Sequence, residues 1–403
     1  MALRPLDGIS VLELADIVSA PYCARLLADY GADVIKIEQP GSGDRSRGLG
    51  PFPADLPDPE KSGLYFLLNR GKRGVTLDIS TPAGQDMLKD LVRQADVLVE
   101  NQRPSQMRAW GLDYETLAAV NPELVMISIT PFGQTGPYSE WTGYDLNAFH
   151  LTAAGHRYVG KPDQAPLEPG SFIADFHGGV AGATWGLAAV YGRRLAGGGQ
   201  HIDVSCAEVI AAIFTGCQNI GAYAQDGVFE RRTGIGMGLG APATVLPCKD
   251  GYVWMLALEP GQWKGLSHAM GDPDWMQLET FQDMFSRAQQ RDAIYPLITE
   301  WTMEHGKQEI MDVCQENGCP TTAIYTIAEA AEHPHLKERG YVQESRHAAL
   351  GTVRTIGPPF RLGDGSDSLE PAPLLGEHNA EVYTSLLGLT EQDIERLRRD
   401  RVI

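Results

Sequence analysis

The stretch GISVLELADIVSAPYCARLLADYGADVIKIE, residues 8–38, has in turn the patterns of a strand, a helix and a second strand. The apolar runs Gly8–Leu14 and Asp33–Glu38 have the length of buried strands, and PYCARLLADYG between them places apolar residues at helical spacing. Gly31 is the expected end of that helix, because glycine tolerates the left-handed conformation that often terminates helices. This succession predicts two parallel strands joined by a crossover helix.

The same alternation continues downstream and predicts an α/β fold with a parallel sheet wrapped by helices. Further strands are predicted at Gly74–Ile79, Asp96–Asn101 and Glu123–Ile129. The helix after the first of these runs is predicted to have Thr81 as its cap and Pro82 in its first turn. Ligands of such sheets bind beyond the carboxyl ends of the strands. The loops of interest therefore begin after Leu14, Glu38, Ile79, Asn101 and Ile129.

A second, smaller domain is predicted where the sequence pattern changes. Near Thr233 glycines alternate with other residues in TGIGMGLGAP, and the strand run Gly251–Leu258 and amphipathic helical segments follow. We predict that residues 1–225 form the first part of a large domain, that residues 226–330 form a small α+β domain, and that residues 331–403 return to the large one.

Composition limits the classes of partner. The chain has 403 residues, of which 43% are hydrophobic, and its net charge is −19 because 52 acidic residues outnumber 33 basic ones. That charge disfavours nucleic acid and anionic membranes as partners. No apolar run reaches the roughly 18 residues of a membrane span, and no secretory signal is evident, so we expect a cytoplasmic protein. The six cysteines have no metal-ligand spacing, so we expect reduced thiols and no metal site.

Basic residues are sparse, and they cluster in three loops. Two of these loops follow predicted strands, and the third comes just before one. Such clusters favour a phosphorylated ligand, although any one of them alone is more often solvated surface charge. The clusters consist of Arg45 with Arg47, of Arg70 with Lys72 and Arg73, and of Arg103.

One carboxylate stands between an apolar run and a group of glycines in SFIADFHGGVAG, residues 171–182. Asp175 has two interpretations. As a helix cap it would begin the buried helical segment that follows. Alternatively, the glycines around it clear space for a ligand to reach the carboxylate.

Several motifs in one order resemble the class III CoA-transferases, the CaiB–BaiF family. They include PLDGISVLEL, LLADYGADVIKIEQPGSGDRSR, YFLLNRGKRGVTLDISTPAG, IADFHGGVAGATWGLAAVYGRRLAGGGQHIDVSCAEV and PAPLLGEHNAEVYTSLLGL. The similarity is dense from Pro5 to about Val209 and returns from about Cys319. It implies a Rossmann-like large domain, a small domain and two subunits interlocked like chain links. It also implies transfer of coenzyme A from an acyl-CoA to a free carboxylic acid.

The resemblance assigns candidate site residues. Asp175 occupies the position of the family's catalytic aspartate, which forms mixed-anhydride and aspartyl-CoA thioester intermediates. The contacts to CoA are implied to be Ile17, Val18, Ser19, Ala20, Lys72, Arg73, Asn101 and Arg103. The pocket and the loop that covers it are implied to include Tyr144, His177, Gly178, Gly179, Gly234, Gly236, Gly238 and Gly240. Backbone N–H groups near Gly178 and Gly179, or in the loop, are candidate oxyanion donors.

Alternatives remain at the level of the sequence. Relatives of the same fold are acyl-CoA racemases or epimerases, which carry a histidine where this chain has Tyr144, and a tyrosine is a poor base at neutral pH. A further hypothesis is that the chain is a non-catalytic CoA-binding subunit of a hetero-oligomer. The expected partner subunit is therefore either a second copy of this chain or a related chain. Succinyl-CoA is a plausible donor. His156 with Arg157 is a candidate site for the second carboxylate of a dicarboxylic substrate.

Overall fold

The computed structural model describes residues 4–214, 221–228, 232–234, 240–362 and 370–403. The chain divides into two compact units, of which the larger comprises residues 1–155, 168–229 and 337–403, and the smaller comprises residues 156–167 and 230–336. The short segment 156–167 was not expected in the smaller unit. Its place there has a physical cause, because the guanidinium of Arg232 donates to the carbonyl oxygens of His156, Lys161 and Gln164.

The larger unit is built on a six-stranded parallel sheet in the order β3-β2-β1-β4-β5-β6. Its strands are β1 (Ser10–Leu14), β2 (Asp33–Glu38), β3 (Arg73–Thr76), β4 (Val97–Glu100), β5 (Val125–Thr130) and β6 (Gln200–Ser205). Leu12 lies opposite Ile35 on one side and Leu98 on the other. The strand order reverses between β1 and β4, so a crevice is expected at the carboxyl ends of these two strands. The predicted α/β fold with a parallel sheet is therefore confirmed.

Helices surround this sheet. They are α1 (Ser19–Asp29), α2 (Gly63–Asn69), α3 (Pro82–Val92), α4 (Pro104–Trp110), α5 (Tyr114–Val120), α6 (Asp145–Leu151), α8 (Ile173–Ala196), α9 (Cys206–Ile210) and α10 (Gly221–Asp226). A short helix, α7 (Ala154–Tyr158), lies where the chain passes into the smaller unit. Thr81 caps α3 as predicted, because its hydroxyl oxygen accepts the N–H of Gly84.

Helix α8 approaches α1 and the sheet closely through its glycines. A Cβ atom on Gly179 would lie 2.7 Å from the carbonyl oxygen of Ser19, and one on Gly182 would lie 2.5 Å from Cδ1 of Ile129. These distances are too short for real contacts. The glycines after Asp175 therefore permit helix packing, and the expectation that they clear space for a ligand is wrong for Gly179 and Gly182.

The last part of the chain returns to the outer edge of the sheet. It contains the antiparallel strands β10 (Val342–His347) and β11 (Gly351–Ile356), followed by α17 (Asn379–Leu387) and α18 (Glu391–Arg399). Tyr383 donates its hydroxyl proton to the carbonyl oxygen of Thr76, and the Asn379 amide exchanges two hydrogen bonds with Thr76. The apolar side chains of this segment complete the core under the sheet.

The smaller unit has its own core around a three-stranded antiparallel sheet in the order β7-β8-β9. Its strands and helices are β7 (Ala243–Cys248), β8 (Gly251–Leu256), α11 (Pro260–Ala269), α12 (Met284–Gln289), α13 (Arg291–Glu304), α14 (Lys307–Glu316), β9 (Thr321–Ala323), α15 (Ile327–Glu332) and α16 (Pro334–Glu338). Buried Arg287 ties this unit together, because it donates to the carbonyl oxygens of Ala241, Ala257, Leu258 and Phe281. Within the described ranges, no helix has both the length and the apolar character needed to cross a bilayer.

Candidate functional site

The loop after β1 is held in an unusual conformation at the carboxyl edge of the sheet. Ile17 has a φ of 67°, which is unfavourable for a β-branched residue. Its N–H donates to Oδ1 of Asp16 and to Oδ1 of Asp44, each at 3.1 Å. Asn101, which follows β4, accepts the N–H of Asp16 at 3.1 Å and donates to the carbonyl oxygen of Asp16 at 2.7 Å. Four hydrogen bonds thus fix the start of this loop.

The residues predicted to contact CoA in this loop are brought together with Asn101. The amide nitrogen Nδ2 of Asn101 lies 3.3 Å from the hydroxyl oxygen of Ser19. Val18 and Ala20 are fully buried at the start of α1, whereas Ile17 is partly exposed. Ile17 and Asn101 therefore remain accessible to a ligand at this edge, while Val18 and Ala20 support the loop from inside.

Lys72 does not share that accessibility. Its ammonium group lies 2.6 Å from Oε2 of Glu13, and it donates to Oδ1 of Asn69 and the carbonyl oxygen of Pro21, both at 2.8 Å. The ammonium group thus donates two hydrogen bonds, and its charge is paired with that of Glu13. Burial lowers the pKa of Lys72 to about 8. The expectation that Lys72 binds CoA therefore needs correction, because this side chain is a buried internal ion.

Arg73 lies at the amino ends of the strands, opposite the carboxyl ends where Asn101 and Arg103 lie. It is the first residue of β3, where its guanidinium pairs with Asp33 of β2 at 2.5 Å and with Glu381 at 3.0 Å. Asn101 and Arg103 follow the carboxyl end of β4. Because the strands are parallel, the structure separates Arg73 from these two residues by the length of a strand. It does not bring Arg73 together with the loop after β1.

A cleft of about 310 Å³ opens beside Asn101 and Arg103. Its basic side chains are Arg45 and Arg103, and Arg103 has no ion-pair partner among the residues that the structure describes. Arg45 forms an ion pair with Asp16. The aromatic side chains that line the cleft are Trp110, Phe132, Trp141 and Tyr144. Flat apolar rings beside guanidinium groups suit a ligand with an aromatic base and phosphates.

Asp175 lies in the first turn of α8, not at its cap. The helix begins at Ile173, and Phe172 at the N-cap position has no side-chain acceptor for the free N–H groups. The missing cap is supplied by Asp145, the first residue of α6, whose Oδ1 accepts the N–H of Asp175 at 3.0 Å. The N–H of Ile173 donates instead to the carbonyl oxygen of Ser171, at 2.8 Å. The interpretation of Asp175 as a cap is therefore wrong, and its carboxylate makes no hydrogen bond within the described residues.

The surroundings of Asp175 disfavour its negative charge. Burial, with a further contribution from the charge of Asp145, raises the pKa of Asp175 to about 7. The thiol of Cys206 is close to both carboxylates, and burial raises its pKa, with further contributions from the same two carboxylates. At neutral pH both the protonated and the ionised form of Asp175 are therefore accessible. A poorly solvated carboxylate of this kind is a stronger nucleophile than one in water.

His177 and the two glycines after it belong to the packing of α8. Nδ1 of His177 lies 2.7 Å from the carbonyl oxygen of Ile173, so this nitrogen carries the proton. A Cβ atom on Gly178 would lie 2.5 Å from Sγ of Cys206. Inside a helix the backbone N–H groups are already bonded to carbonyl oxygens one turn earlier. The expected role of the Gly178 and Gly179 N–H groups as oxyanion donors is therefore not supported by their position.

The glycine-rich loop lies in the smaller unit, and Gly236 and Gly238 fall outside the described residues. Gly234 has a φ of 77°, and a Cβ atom on Gly240 would lie 2.5 Å from Cδ2 of Leu258. His156 and Arg157 also belong to the smaller unit. No cluster of His, Cys, Asp or Glu that could hold a metal is present in the described ranges. Five cysteines there are free and buried, and Cys217 lies outside them.

Asp16, Asp44 and Asp145 are site residues that the sequence analysis missed. Asp44 lies in the same loop as Arg45, and its signal was its position after β2. Asp145 had a weaker local signal, as an acidic residue just before the helical pattern of α6. Its contact to α8 is 30 residues away in sequence, so the local pattern could not show its partner.

The chain was compared with known protein families and proteins. Residues 6–379 match the model of CoA-transferase family III. The chain is 34% identical to succinyl-CoA–D-citramalate CoA-transferase of Chloroflexus aurantiacus, over 99% of this chain and 98% of that protein. It is 33% identical to succinate–glutarate CoA-transferase of Agrobacterium fabrum, over 95% and 96%. It is 31% identical to a formyl-CoA:oxalate CoA-transferase of Rhodopseudomonas palustris, over 98% and 96%.

A comparison with solved structures also finds a protein of this family. The crystal structure of a CaiB/BaiF family protein from Brucella suis superposes with a TM-score of 0.82 at 32% identity, covering 95% of this chain and 99% of that one. The match of the family model, the nearly complete coverage of the relatives and the shared fold agree with the resemblance seen in the sequence motifs. This chain belongs to CoA-transferase family III.

Proposed function

We propose that this enzyme moves coenzyme A from an acyl-CoA to a free dicarboxylic acid, with Asp175 as the nucleophile. The observation that carries the proposal is the half-buried Asp175 carboxylate, held at the start of α8 with a pKa raised to about 7. Dicarboxylic acids are proposed because the relatives are named for citramalate, succinate with glutarate, and oxalate. Succinyl-CoA is proposed as the donor.

The first half-reaction needs no proton transfer. A carboxylate oxygen of Asp175 attacks the thioester carbon of the donor, and the C–S bond breaks to give a mixed anhydride and the CoA thiolate. The thiolate then attacks the aspartyl carbonyl carbon, the donor's carboxylate leaves, and an aspartyl-CoA thioester remains. Because each leaving group departs as an anion, no general base is required. His177 is therefore not needed for proton transfer, and its Nδ1–H donates to the carbonyl oxygen of Ile173 within α8.

The second half-reaction runs the same steps in reverse. The carboxylate of the acceptor attacks the aspartyl thioester and displaces the thiolate, which forms a second mixed anhydride. The thiolate attacks the acceptor's carbonyl carbon, the new acyl-CoA forms, and Asp175 is regenerated as a carboxylate. Exclusion of water matters here, since both intermediates are readily hydrolysed.

We assign the binding of CoA to the cleft at the carboxyl edge of the sheet. Arg45 and Arg103 supply positive charge for the phosphates, and Trp110 and Trp141 supply flat surfaces for the adenine ring. Tyr144 lines this cleft and is followed directly by Asp145, which holds the first turn of α8. The proposed cofactor site and the proposed nucleophile thus share one short segment of chain.

We also propose that the enzyme is a homodimer with interlocked subunits. The outer side of α8 exposes Trp185, Tyr191 and Leu195, whose side chains are 64%, 65% and 73% exposed in the single chain. Large apolar side chains this open on one helix are typical of a surface covered by a partner. Sedimentation analysis of the purified chain would give twice the chain mass for a homodimer, and a single-chain mass would contradict it.

The proposed chemistry is tested by incubating the protein with a panel of acyl-CoAs, followed by peptide mass spectrometry and hydroxylamine treatment. A CoA or acyl adduct, or a hydroxamate, on the peptide that contains Asp175 is expected with succinyl-CoA, and none with Asp175→Asn. Exchange of the α-proton into deuterated water without any adduct would indicate racemase chemistry. Tight binding of CoA without either signal would indicate a non-catalytic subunit or a missing partner chain.

A further inference from the structure

We infer that Asp145 is a positioning residue for Asp175, which fixes the first turn of α8 and uses its negative charge to keep the neighbouring carboxylate reactive. The inference rests on the proposed function in one respect, since that function makes Asp175 the nucleophile. The hydrogen bond that Asp145 accepts from the N–H of Asp175, and the carboxyl group of Asp145 beside it, do not depend on the proposed function.

The geometry at the start of α8 requires a substitute cap. The first N–H groups of any helix lack partners within the helix, and an apolar residue at the cap position cannot accept them. Phe172 is that residue here. The carboxylate of Asp145 accepts the N–H of Asp175 at 3.0 Å, and Asp145 is only 4% exposed. Charge-assisted hydrogen bonds of this kind hold a backbone segment more firmly than neutral ones.

Asp145 is itself firmly placed. It is the first residue of α6, where the side-chain oxygen of Asn147 accepts the N–H of Tyr144 at 3.0 Å. Tyr144 and Arg45 both line the cleft. A ligand that orders Tyr144 therefore acts one residue away from the group that orients Asp175. Tyr144 and Asp145 together form the link between the cleft and the nucleophile.

The electrostatic part of the inference depends on few charged groups. Among the described elements packed against the start of α8, α6 contributes Asp145 and α9 contributes the thiol of Cys206. On α8 itself His177 lies close enough to Asp145 to influence its ionisation. Among the residues that the structure describes, Asp145 is the anion whose charge adds to the effect of burial on the pKa of Asp175. Its charge opposes ionisation of Asp175 and raises the basicity of that carboxylate, which strengthens it as a nucleophile.

The test separates the charge of Asp145 from its role as a hydrogen-bond acceptor. Asp145→Asn and Asp145→Ser each keep an acceptor oxygen suited to a helix N-terminus but remove the charge. The matched control is Asp113→Asn, because Asp113 caps α5 by accepting the N–H of Thr116. For each variant three quantities are measured. They are the rate at which a diazoacetamide esterifies Asp175 as a function of pH, kcat for acyl transfer, and the thermal unfolding midpoint.

We expect the midpoint of esterification of Asp175, which reports its protonated form, to lie near pH 7 in the wild type. In both Asp145 variants it should fall by about one pH unit, and kcat at pH 8 should fall about tenfold or more. Asp113→Asn also keeps a cap acceptor, so it should change the unfolding temperature little and should not move the midpoint. If Asp145→Asn and Asp145→Ser lower the unfolding temperature but leave both midpoint and kcat unchanged, Asp145 is only a cap and the inference fails. If only one of the two Asp145 variants folds, its esterification midpoint and kcat decide the outcome. If neither folds, a wild-type esterification midpoint near the ordinary pKa of aspartate would overturn the inference.

The esterification experiment does not require acyl transfer to occur. A shifted midpoint in the Asp145 variants of a protein that forms no acyl adduct would uphold the electrostatic role and reject the proposed function. An unshifted midpoint in a protein that does form the adduct would do the reverse. The two proposals therefore fail in distinguishable ways.

Discussion

The Nζ atom of Lys72 lies 2.6 Å from Oε2 of Glu13, and neither side chain is exposed to solvent. The other oxygen of Glu13 accepts a hydrogen bond from Lys36, which also forms an ion pair with Asp44. Asp44 in turn accepts the N–H of Ile17. A series of buried charged side chains thus extends from the segment before β3 to the strained loop after β1. These ion pairs and hydrogen bonds hold the loop that forms part of the proposed cofactor site.

Replacement of Lys72 by Met should therefore destabilise the protein rather than weaken cofactor binding alone. Removal of one member of a buried ion pair leaves an uncompensated charge and costs about 3–5 kcal/mol. Urea denaturation followed by circular dichroism measures this loss. Lys61→Met is the control, because Lys61 is partly exposed and, within the described ranges, its ion-pair partner is the similarly exposed Asp58, so this variant should leave the urea midpoint unchanged. An unchanged urea midpoint for Lys72→Met with a raised KM for acyl-CoA would instead place Lys72 in the binding site.

Arg103→Ala should raise the KM for acyl-CoA about tenfold, since a charge-assisted contact to a phosphate is lost. The fold should be unaffected, because the guanidinium of Arg103 forms no ion pair within the described residues. Initial-rate kinetics at two salt concentrations measure the effect, which should shrink at high salt. Arg73→Ala is the matched control at the amino edge of the sheet and should leave KM unchanged. Equal effects of the two variants on KM would contradict the assignment of the cleft.

The pH dependence of acyl transfer should report the ionisation of Asp175. Because its pKa is raised to about 7, kcat/KM should rise with pH and level off above that value. A profile with its midpoint near pH 4 would show that the attacking carboxylate is well solvated. The profile should be measured with succinyl-CoA and at constant ionic strength.

The raised pKa of Asp175 should also make the free energy of unfolding depend on pH. The native pKa of Asp175 is about 7 against an ordinary value of 3.8, so the folded state holds the proton more tightly than the unfolded state. The stability that this group contributes is present below pH 3.8 and is lost as the pH rises to about 7. Asp175→Asn should therefore gain stability relative to wild type between these values, with a constant difference above them. Denaturation of both proteins across this range checks the sign.

Gly179→Ala should destabilise the contact between α8 and α1. The added methyl group would lie 2.7 Å from the carbonyl oxygen of Ser19 and 3.1 Å from Cδ1 of Tyr22. Overpacking of this kind costs about 1–3 kcal/mol. Gly192→Ala in the same helix has no neighbour within 4 Å and should stabilise it by about 0.5–1 kcal/mol. Opposite shifts in the unfolding midpoint are expected, and a stabilising Gly179→Ala would contradict the packing role.

Much of the sheet could be predicted because β1, β2, β4 and β5 are apolar runs, buried along nearly their whole length. The strand β6 was missed, since QHIDVS carries four polar residues and belongs to the outer edge of the sheet. The motif around Asp175 identified the family correctly. It could not distinguish a glycine beside a ligand from one beside another helix, because both situations require the absence of Cβ.

Long-range contacts explain the remaining differences. The family resemblance assigned Lys72 to the binding of CoA, and no local pattern showed its buried counter-ion, Glu13 of β1. The segment 156–167 belongs to the smaller unit because Arg232, far along the chain, donates to its carbonyl oxygens. Such partners are fixed by the fold, so local patterns carry no signal for them.

The packing of the final helices has a consequence for biosynthesis. Val382, Tyr383 and Ile394 are buried in the same core as Leu12 and Ile35, and the N–H of Asp78 donates to the carbonyl oxygen of Val402. A nascent chain cannot close this core until residues 379–403 have left the ribosome. During translation the part of this core that the last two helices cover therefore remains exposed, and exposed apolar surface of this kind favours aggregation.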